Sequence, residues 1–331
     1  MKPRDIFLQA LERKPTSRPA TGSATSIVTV DLMEKTGFFF PDVHFDPGKM
    51  AGLAEAGYTE LGFDNVMPLF SVSHESAALG CRTDWGSIDK MPDCRGGLYG
   101  IEDEIIIPPD FLARPECRVP LRALEILKKR HGSEVAVVGK VFGPWTLGYH
   151  LFGVEEFLIN TILNPDAVKC AISTLKEVTV AFGKAQIEAG ADALTLGDHA
   201  TRDLCSPLAY RDFLKDVHFE INERLACPII LHICGETGDR IGYIRETGVA
   251  CFHFDSKVPA GTARELAGEK LSLMGGTSNF DIILKGTPES IAADVRKKKA
   301  VGIDIIGPEC AVPLNAPWKN LMMIAEEVKR G

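Results

Sequence analysis

The chain has 331 residues, 45% of them hydrophobic and 25% charged, with a formal net charge of -8. That balance belongs to an ordinary globular protein with a sizeable core and excludes a disordered or collagen-like chain. An acidic chain without a long basic run also argues against nucleic-acid or anionic-membrane partners, because both need clustered Lys and Arg to displace counterions. No stretch has the apolar length of a membrane span, and Met1-Lys2-Pro3-Arg4-Asp5 does not open an apolar signal core, so the expected location is the cytoplasm. The nine cysteines lack the spacing of a disulfide framework and are expected as reduced thiols. Cys227 and Cys251, set among apolar neighbours, read as packing residues.

In chain order, eight short β-like segments are predicted around 18–24, 58–63, 135–142, 192–196, 228–233, 249–254, 271–276 and 302–306, most ending in a polar or glycine-rich turn. Pro228-Ile229-Ile230-Leu231 and Gly302-Ile303-Asp304-Ile305-Ile306 are apolar enough for strands buried on both faces. Between the strands lie helices with clear starts: Asn164-Pro165, Ser206-Pro207 and Thr287-Pro288 each set a capping residue before a first-turn proline. After Asn164, Val168, Ile172, Leu175, Val178 and Phe182 recur at spacings of four and three and form one apolar face. Strand-helix alternation with eight strands predicts an α/β fold, a (β/α)8 TIM barrel formed by a single domain over residues 1–331. The range of about 65–133 is too long and too rich in turn residues for one connection. It is read as an insertion after the second strand, with Pro108-Pro109 in a loop.

In such a barrel the active site forms at the C-terminal ends of the strands. The fifth predicted strand ends in Leu231-His232-Ile233-Cys234-Gly235, the sixth in His253-Phe254-Asp255, and the eighth in Gly307-Pro308-Glu309-Cys310. His232 and Cys234, two apart in extended chain, leave the same face, and Gly235 permits the bend that brings them to one ion. Imidazole and thiolate suit zinc. Cys310 can reach the same mouth and complete a Cys2His set with one position open, the pattern of a catalytic site. Asp255 is read either as a fourth ligand or as a residue that hydrogen-bonds the substrate, and Asp198, in Gly197-Asp198-His199, as a substrate contact or a support for the site. Asn279 follows a Gly275-Gly276 turn where barrels often bind anions through backbone amides. Lys257, Arg202 and Arg82 are equivalent candidates to balance an acidic substrate.

These segments resemble the methylcobamide:coenzyme M methyltransferases of the uroporphyrinogen decarboxylase superfamily, in particular the methanol-specific branch. The likeness runs end to end and includes Gly22-Ser23-Ala24-Thr25-Ser26, Leu32-Met33-Glu34-Lys35-Thr36-Gly37, Cys251-Phe252-His253-Phe254-Asp255-Ser256-Lys257 and Asp304-Ile305-Ile306-Gly307-Pro308-Glu309-Cys310. The resemblance implies a TIM barrel whose zinc, held by His232, Cys234 and Cys310, binds the acceptor thiol. It also implies a methylated corrinoid supplied by a small partner protein. An Arg-Gln-Ala-Gly-Arg segment found near the start of the porphyrinogen decarboxylases is absent, which puts decarboxylation second. The stretch Asp42-Val43-His44-Phe45-Asp46-Pro47-Gly48 misses the Asp-x-His-x-x-Gly signature of corrinoid carriers by one place, so no corrinoid of its own is expected. The expected reaction is zinc-dependent methyl transfer from the corrinoid protein to a thiol, coenzyme M, in methanol or related one-carbon metabolism. The alternatives are transfer to tetrahydrofolate on the same fold, or a non-catalytic zinc-stabilised binder of a corrinoid protein.

Overall fold

The structure, a computed structural model, describes residues 1–330. Ten strands occur in chain order: β1 (Ala20–Thr21), β2 (Asn65–Val66), β3 (Arg82–Asp84), β4 (Asp93–Arg95), β5 (Ala136–Phe142), β6 (Ala193–Gly197), β7 (Ile229–His232), β8 (Cys251–Phe254), β9 (Ser272–Thr277) and β10 (Ile305–Pro308). Eight form one parallel sheet in the order β1-β10-β9-β8-β7-β6-β5-β2, while β3 and β4 make a separate antiparallel hairpin. Every residue from β5 to β10 is buried, as strands covered by helices outside and side chains inside must be. This is the (β/α)8 barrel.

The first and last neighbours in that order, β1 and β2, are two residues each and too short to hold one another by a ladder. Side chains close the gap. Asn65 accepts from the Ser23 amide at 3.0 Å and donates to the Ser23 carbonyl at 2.8 Å, and the Asp64 amide donates to Thr21 O at 2.8 Å. Asp64 also receives both ends of the Arg18 guanidinium at 2.7 and 2.8 Å. Gly22 is required here, since a Cβ would stand 2.1 Å from the Asn65 side-chain oxygen.

The predicted second strand needs correction. Residues 58–63 do not form a strand: 58–59 end the helix Pro47–Thr59, capped by the Asp46 carboxylate accepting from Lys49 N, and Gly62 turns the chain with φ +72° before β2. The β-like run of Tyr58, Leu61 and Phe63 is overridden by the helix that Asp46-Pro47 begins. The range 65–133 includes β2 and the helix Pro115–His131, with the β3–β4 hairpin between them. The three expected helix starts are all present, at Pro165, Pro207 and Pro288; Ser206 and Thr287 cap through their hydroxyls, whereas Asn164 makes no side-chain cap.

Helix Pro3–Leu11 lies across the N-terminal end of the barrel, burying Ile6, Phe7, Ala10 and Leu11. Ser272, at the start of β9, donates to the Ala10 carbonyl at 2.8 Å, and the Arg4 amide donates to Glu134 O at 2.9 Å. That helix covers the N-terminal end of the barrel, opposite the mouth where the strands end.

Candidate metal centre

At that mouth β7 delivers His232 as its last residue. The chain then turns at Gly235, whose φ of +82° places it in the left-handed region that glycine tolerates. The turn folds Cys234 back toward His232, and the stretch after β10 brings Cys310 across from the neighbouring side of the barrel. His232 Nε2 lies 3.0 Å from Cys234 Sγ and 3.4 Å from Cys310 Sγ, and the two sulfurs are 3.0 Å apart. Among the described residues these three form the group of His, Cys, Asp and Glu donors able to hold one metal ion, with donor atoms within 4.8 Å of one another.

The donor set fits zinc. Bond lengths of about 2.0 Å to nitrogen and 2.3 Å to sulfur give tetrahedral edges of about 3.5 Å for N···S and 3.8 Å for S···S. The observed spacings reach those edges if the donors part by less than about 1 Å. A disulfide is not formed, since its sulfurs would stand about 2.05 Å apart. The two thiols divide one proton unequally. Its hydrogen bond to Cys310, and then burial, push Cys234 well above the ordinary thiol range. The same bond to Cys234, together with the field of His232, holds Cys310 well below it.

His253 sets the direction of the His232 lone pair. It is fully buried, and burial, then the field of His232, push its pKa well below the ordinary value, so its ring is neutral. Its Nε2 lies 2.8 Å from the Pro308 carbonyl, which can only accept, so Nε2 carries the proton. His253 Nδ1 is then an acceptor, and His232 Nδ1, 2.7 Å away, must donate to it. This points the Nε2 edge of His232 at the two sulfurs, the orientation a metal ligand requires.

The other expected residues are placed unequally. Asp255 accepts from the Gly235 amide at 2.8 Å and from the Lys257 amide at 2.9 Å, so its carboxylate pins the turn that carries Cys234. Asp198 is fully buried and turned away from the mouth. It accepts from the amide and hydroxyl of Thr146 at 2.7 and 2.9 Å, and its other oxygen is 3.0 Å from His218 Nε2, so both carboxylate oxygens are engaged inside the protein. The cavity is lined instead by the next residue, His199. At Asn279 the anion of the glycine-rich turn is the protein's own: the Asn279 amide donates to Glu309 at 2.7 Å, and the second Glu309 oxygen takes the Ser256 amide at 2.9 Å. Arg202 is bound to Glu236 on the surface, and Lys257 and Arg82 are exposed.

Beside His232 and Cys310 lies an enclosed cavity of about 60 Å³, walled also by Phe70, Phe142, Thr195 and Lys140. Lys140 was missed in the sequence although it carried a signal, a lysine in the middle of the apolar run Ala136–Phe142. Burial pushes its ammonium down to about 8 against the opposing pull of Glu75 and Cys310. His253 was read only as part of a strand end, because its role depends on the carbonyl of a strand two places along the barrel.

The family described as uroporphyrinogen decarboxylase (URO-D) matches residues 2–331. The chain belongs to that family. It is 33% identical over 88% of its length, and 80% of the relative's, to the "Methylated-thiol--coenzyme M methyltransferase" of Methanosarcina mazei. It is 28% identical over 95% of its length, and 94% of the relative's, to the "Methylcobamide:CoM methyltransferase MtaA" of Methanosarcina barkeri. A solved "methyltransferase from Methanosarcina mazei" superposes with a TM-score of 0.96 at 26% identity, covering 99% of this chain and 98% of that one. Within the family, the chain thus groups with the corrinoid and coenzyme M methyltransferases.

Proposed function

We propose that the protein is a zinc-dependent methyltransferase that moves a methyl group from a methylated corrinoid protein to a thiol, coenzyme M. The observation that carries this reading is the meeting of His232 Nε2 with the sulfurs of Cys234 and Cys310 beside a cavity at the C-terminal ends of the barrel strands. His232, Cys234 and Cys310 would hold the zinc. Zinc, when bound, supplies the Lewis acidity that removes a thiol proton at neutral pH. Two thiolates and a neutral imidazole cancel the charge of the ion, so an acceptor sulfur placed there stays electron-rich. That sulfur attacks the methyl carbon of methyl-Co(III); the S–C bond forms as the Co–C bond breaks, and its electron pair remains on cobalt as Co(I). The barrel positions the acceptor and excludes water, and Asp255 and His253 keep the donors in place.

The corrinoid arrives on a separate protein docked over the mouth, and free methylcobalamin would act as a slower surrogate. The chain is read as one cytoplasmic barrel domain, 1–331, with its insertion between β2 and the helix at 115. Methanol or a related one-carbon compound is the methyl source in this reading; the 33% identity to a methylated-thiol enzyme favours a methyl thioether as the second. A cavity of about 60 Å³ beside two sulfur donors suits a short thiol better than a pterin, which places tetrahydrofolate behind coenzyme M.

The test is to incubate the protein with methylcobalamin and, in turn, coenzyme M, homocysteine and tetrahydrofolate, following demethylation by corrinoid absorbance. Coenzyme M should be the best acceptor, in a protein carrying about one zinc per chain. Turnover with tetrahydrofolate alone, or full turnover without bound zinc, would overturn the reading.

A further inference from the structure

The hairpin of β3 and β4 walls the cavity without belonging to the barrel: its strands pair only with each other, and Met91, in its turn, lines the space beside His232 and Cys310. Two cysteines stand at its base. Thr83 is the register partner of Cys94, so Cys81, two residues before Thr83, leaves the same face of the hairpin as Cys94 and is its diagonal neighbour. The two side chains are hydrogen-bonded to one another, with the Ser76 and Thr83 hydroxyls in reach of Cys94. Cys81 is buried; its Sγ also donates to the His150 carbonyl at 3.4 Å, and its amide donates to Ser76 O at 2.9 Å. Cys94 is half-buried between exposed Asp93 and Arg95, and both cysteines are free thiols.

One thiol of the pair is reachable from outside and the other lies behind it, the arrangement of an attacking and a resolving cysteine. The bond to Cys81 holds the Cys94 thiol down to about 7 against burial, whereas the same bond and then burial push Cys81 up. Neither belongs to the metal centre. We propose that Cys94 and Cys81 are oxidised to a reversible disulfide by small disulfides, the oxidised dimers of short thiols, and that this bond fixes the hairpin over the cavity and slows methyl transfer. The Cys94 thiolate attacks one sulfur of the small disulfide; the new S–S bond forms, the old one breaks, and a thiolate leaves with the electron pair. That thiolate takes the Cys81 proton. The Cys81 sulfur then attacks Cys94 and expels the second small thiolate, which takes up the proton that Cys94 had released. Two protein thiols are oxidised as one small disulfide is reduced to two thiols. Cys81 is held by carbonyls of the helices His74–Ala78 and Pro144–Phe152, so the bond fastens β4 to both and restrains the turn that carries Met91. The chemistry stands by itself, while its effect on turnover rests on the methyl-transfer reading.

Two arms test it, both with zinc-loaded protein and the disulfide of 2-mercaptoethanesulfonate as oxidant. In the first, the oxidised protein is alkylated and digested with trypsin, which separates Cys81, in residues 50–82, from Cys94, in residues 91–95. Mass spectrometry should find these two peptides joined, and dithiothreitol should part them. Free Cys94, or Cys94 left as a stable mixed disulfide, overturns the proposal. In the second arm, transfer from methylcobalamin to 2-mercaptoethanesulfonate is followed at constant thiol while its disulfide is raised. The parent should slow severalfold at unchanged zinc content, and Cys94→Ser should keep its rate. An unslowed parent, or equal slowing of both proteins, overturns the gate. If Cys94→Ser does not fold, Cys81→Ser takes its place under the same criteria. Failure of every thiol to demethylate methylcobalamin would sink the transfer reading instead, and the joined peptides would still decide the disulfide.

Discussion

The two sides of the cavity are cut from one barrel but treat their polar groups in opposite ways. On the side of β7, β8 and β10, His232, His253, Asp255 and Glu309 are tied to one another's loops by hydrogen bonds, with Asn279 Oδ1 and the Thr237 hydroxyl left without partners. On the side of β1, β2 and β5, Ser26, one oxygen of Glu75, one nitrogen of His74 and both nitrogens of His44 are buried without partners. An unsatisfied buried group costs about 1–3 kcal/mol. The first side therefore holds its donors in position by bonds of its own, while the second carries unmet demands, of which the Ser26 hydroxyl alone lines the cavity.

The largest effect should come from breaking the satisfied side at its centre. Replacing His232, Cys234 or Cys310 by Ala should remove bound zinc and lower methyl transfer by more than the 10–100-fold that loss of an outer partner typically costs. Cys170→Ala, an exposed thiol, serves as the control. Metal analysis alongside the methylcobalamin assay decides; zinc retained near one per chain in Cys310→Ala would remove that residue from the ligand set.

One layer out, His253→Ala should leave the three donors but release the His232 ring, since Nδ1 loses the acceptor that fixes its proton. Zinc affinity should fall by about 10–100-fold. Competition with a chromophoric chelator measures this, and His253→Ala with parental affinity would mean that the carbonyl of His253, 3.3 Å from His232 Nδ1, suffices.

The unsatisfied side can be probed by pH. Burial raises the Glu75 carboxyl from its ordinary 4.5 to about 7. Between those values the folded protein holds a proton that the unfolded chain has released, so this group's stabilisation is full below about 4.5 and is lost as pH rises to about 7. The slope is about 1.4 kcal/mol per pH unit. Glu75→Gln keeps an acceptor for the Phe142 amide and should abolish that slope, so that urea unfolding shows the variant gaining on the parent from pH 5 to pH 7. A constant difference across that range would place the Glu75 charge in a solvated setting.

Much of the candidate site was legible because strand ends are legible. An apolar run closing on His-x-Cys-Gly, and another followed by Glu309 and Cys310, are local patterns, and the barrel rule sends all such ends to one mouth. The residues that went astray depend on one-residue alternation or on partners far along the chain. Asp198 and His199 are adjacent, and only the observed pleat and turn decide that His199 faces the cavity while Asp198 faces Thr146 and His218. Asn279 sat in the expected turn, but Glu309, thirty positions later, had already filled its anion site.

The sequence by itself determined the alternation of strands and helices, with seven of the eight barrel strands overlapping their predicted places, and that one imidazole and two thiols lie at strand ends. Those features follow from hydrophobic periodicity and residue chemistry, both local properties. Tertiary structure alone decided how β1 and β2 close the barrel, since Asn65 and Arg18 do by side chain what two-residue strands cannot do by ladder. It also decided the tautomer of His232 and the place of Lys140 in the cavity wall. Both depend on every neighbour, and the neighbours in question, Pro308, His253, Thr195 and Ser26, meet only when the barrel has closed.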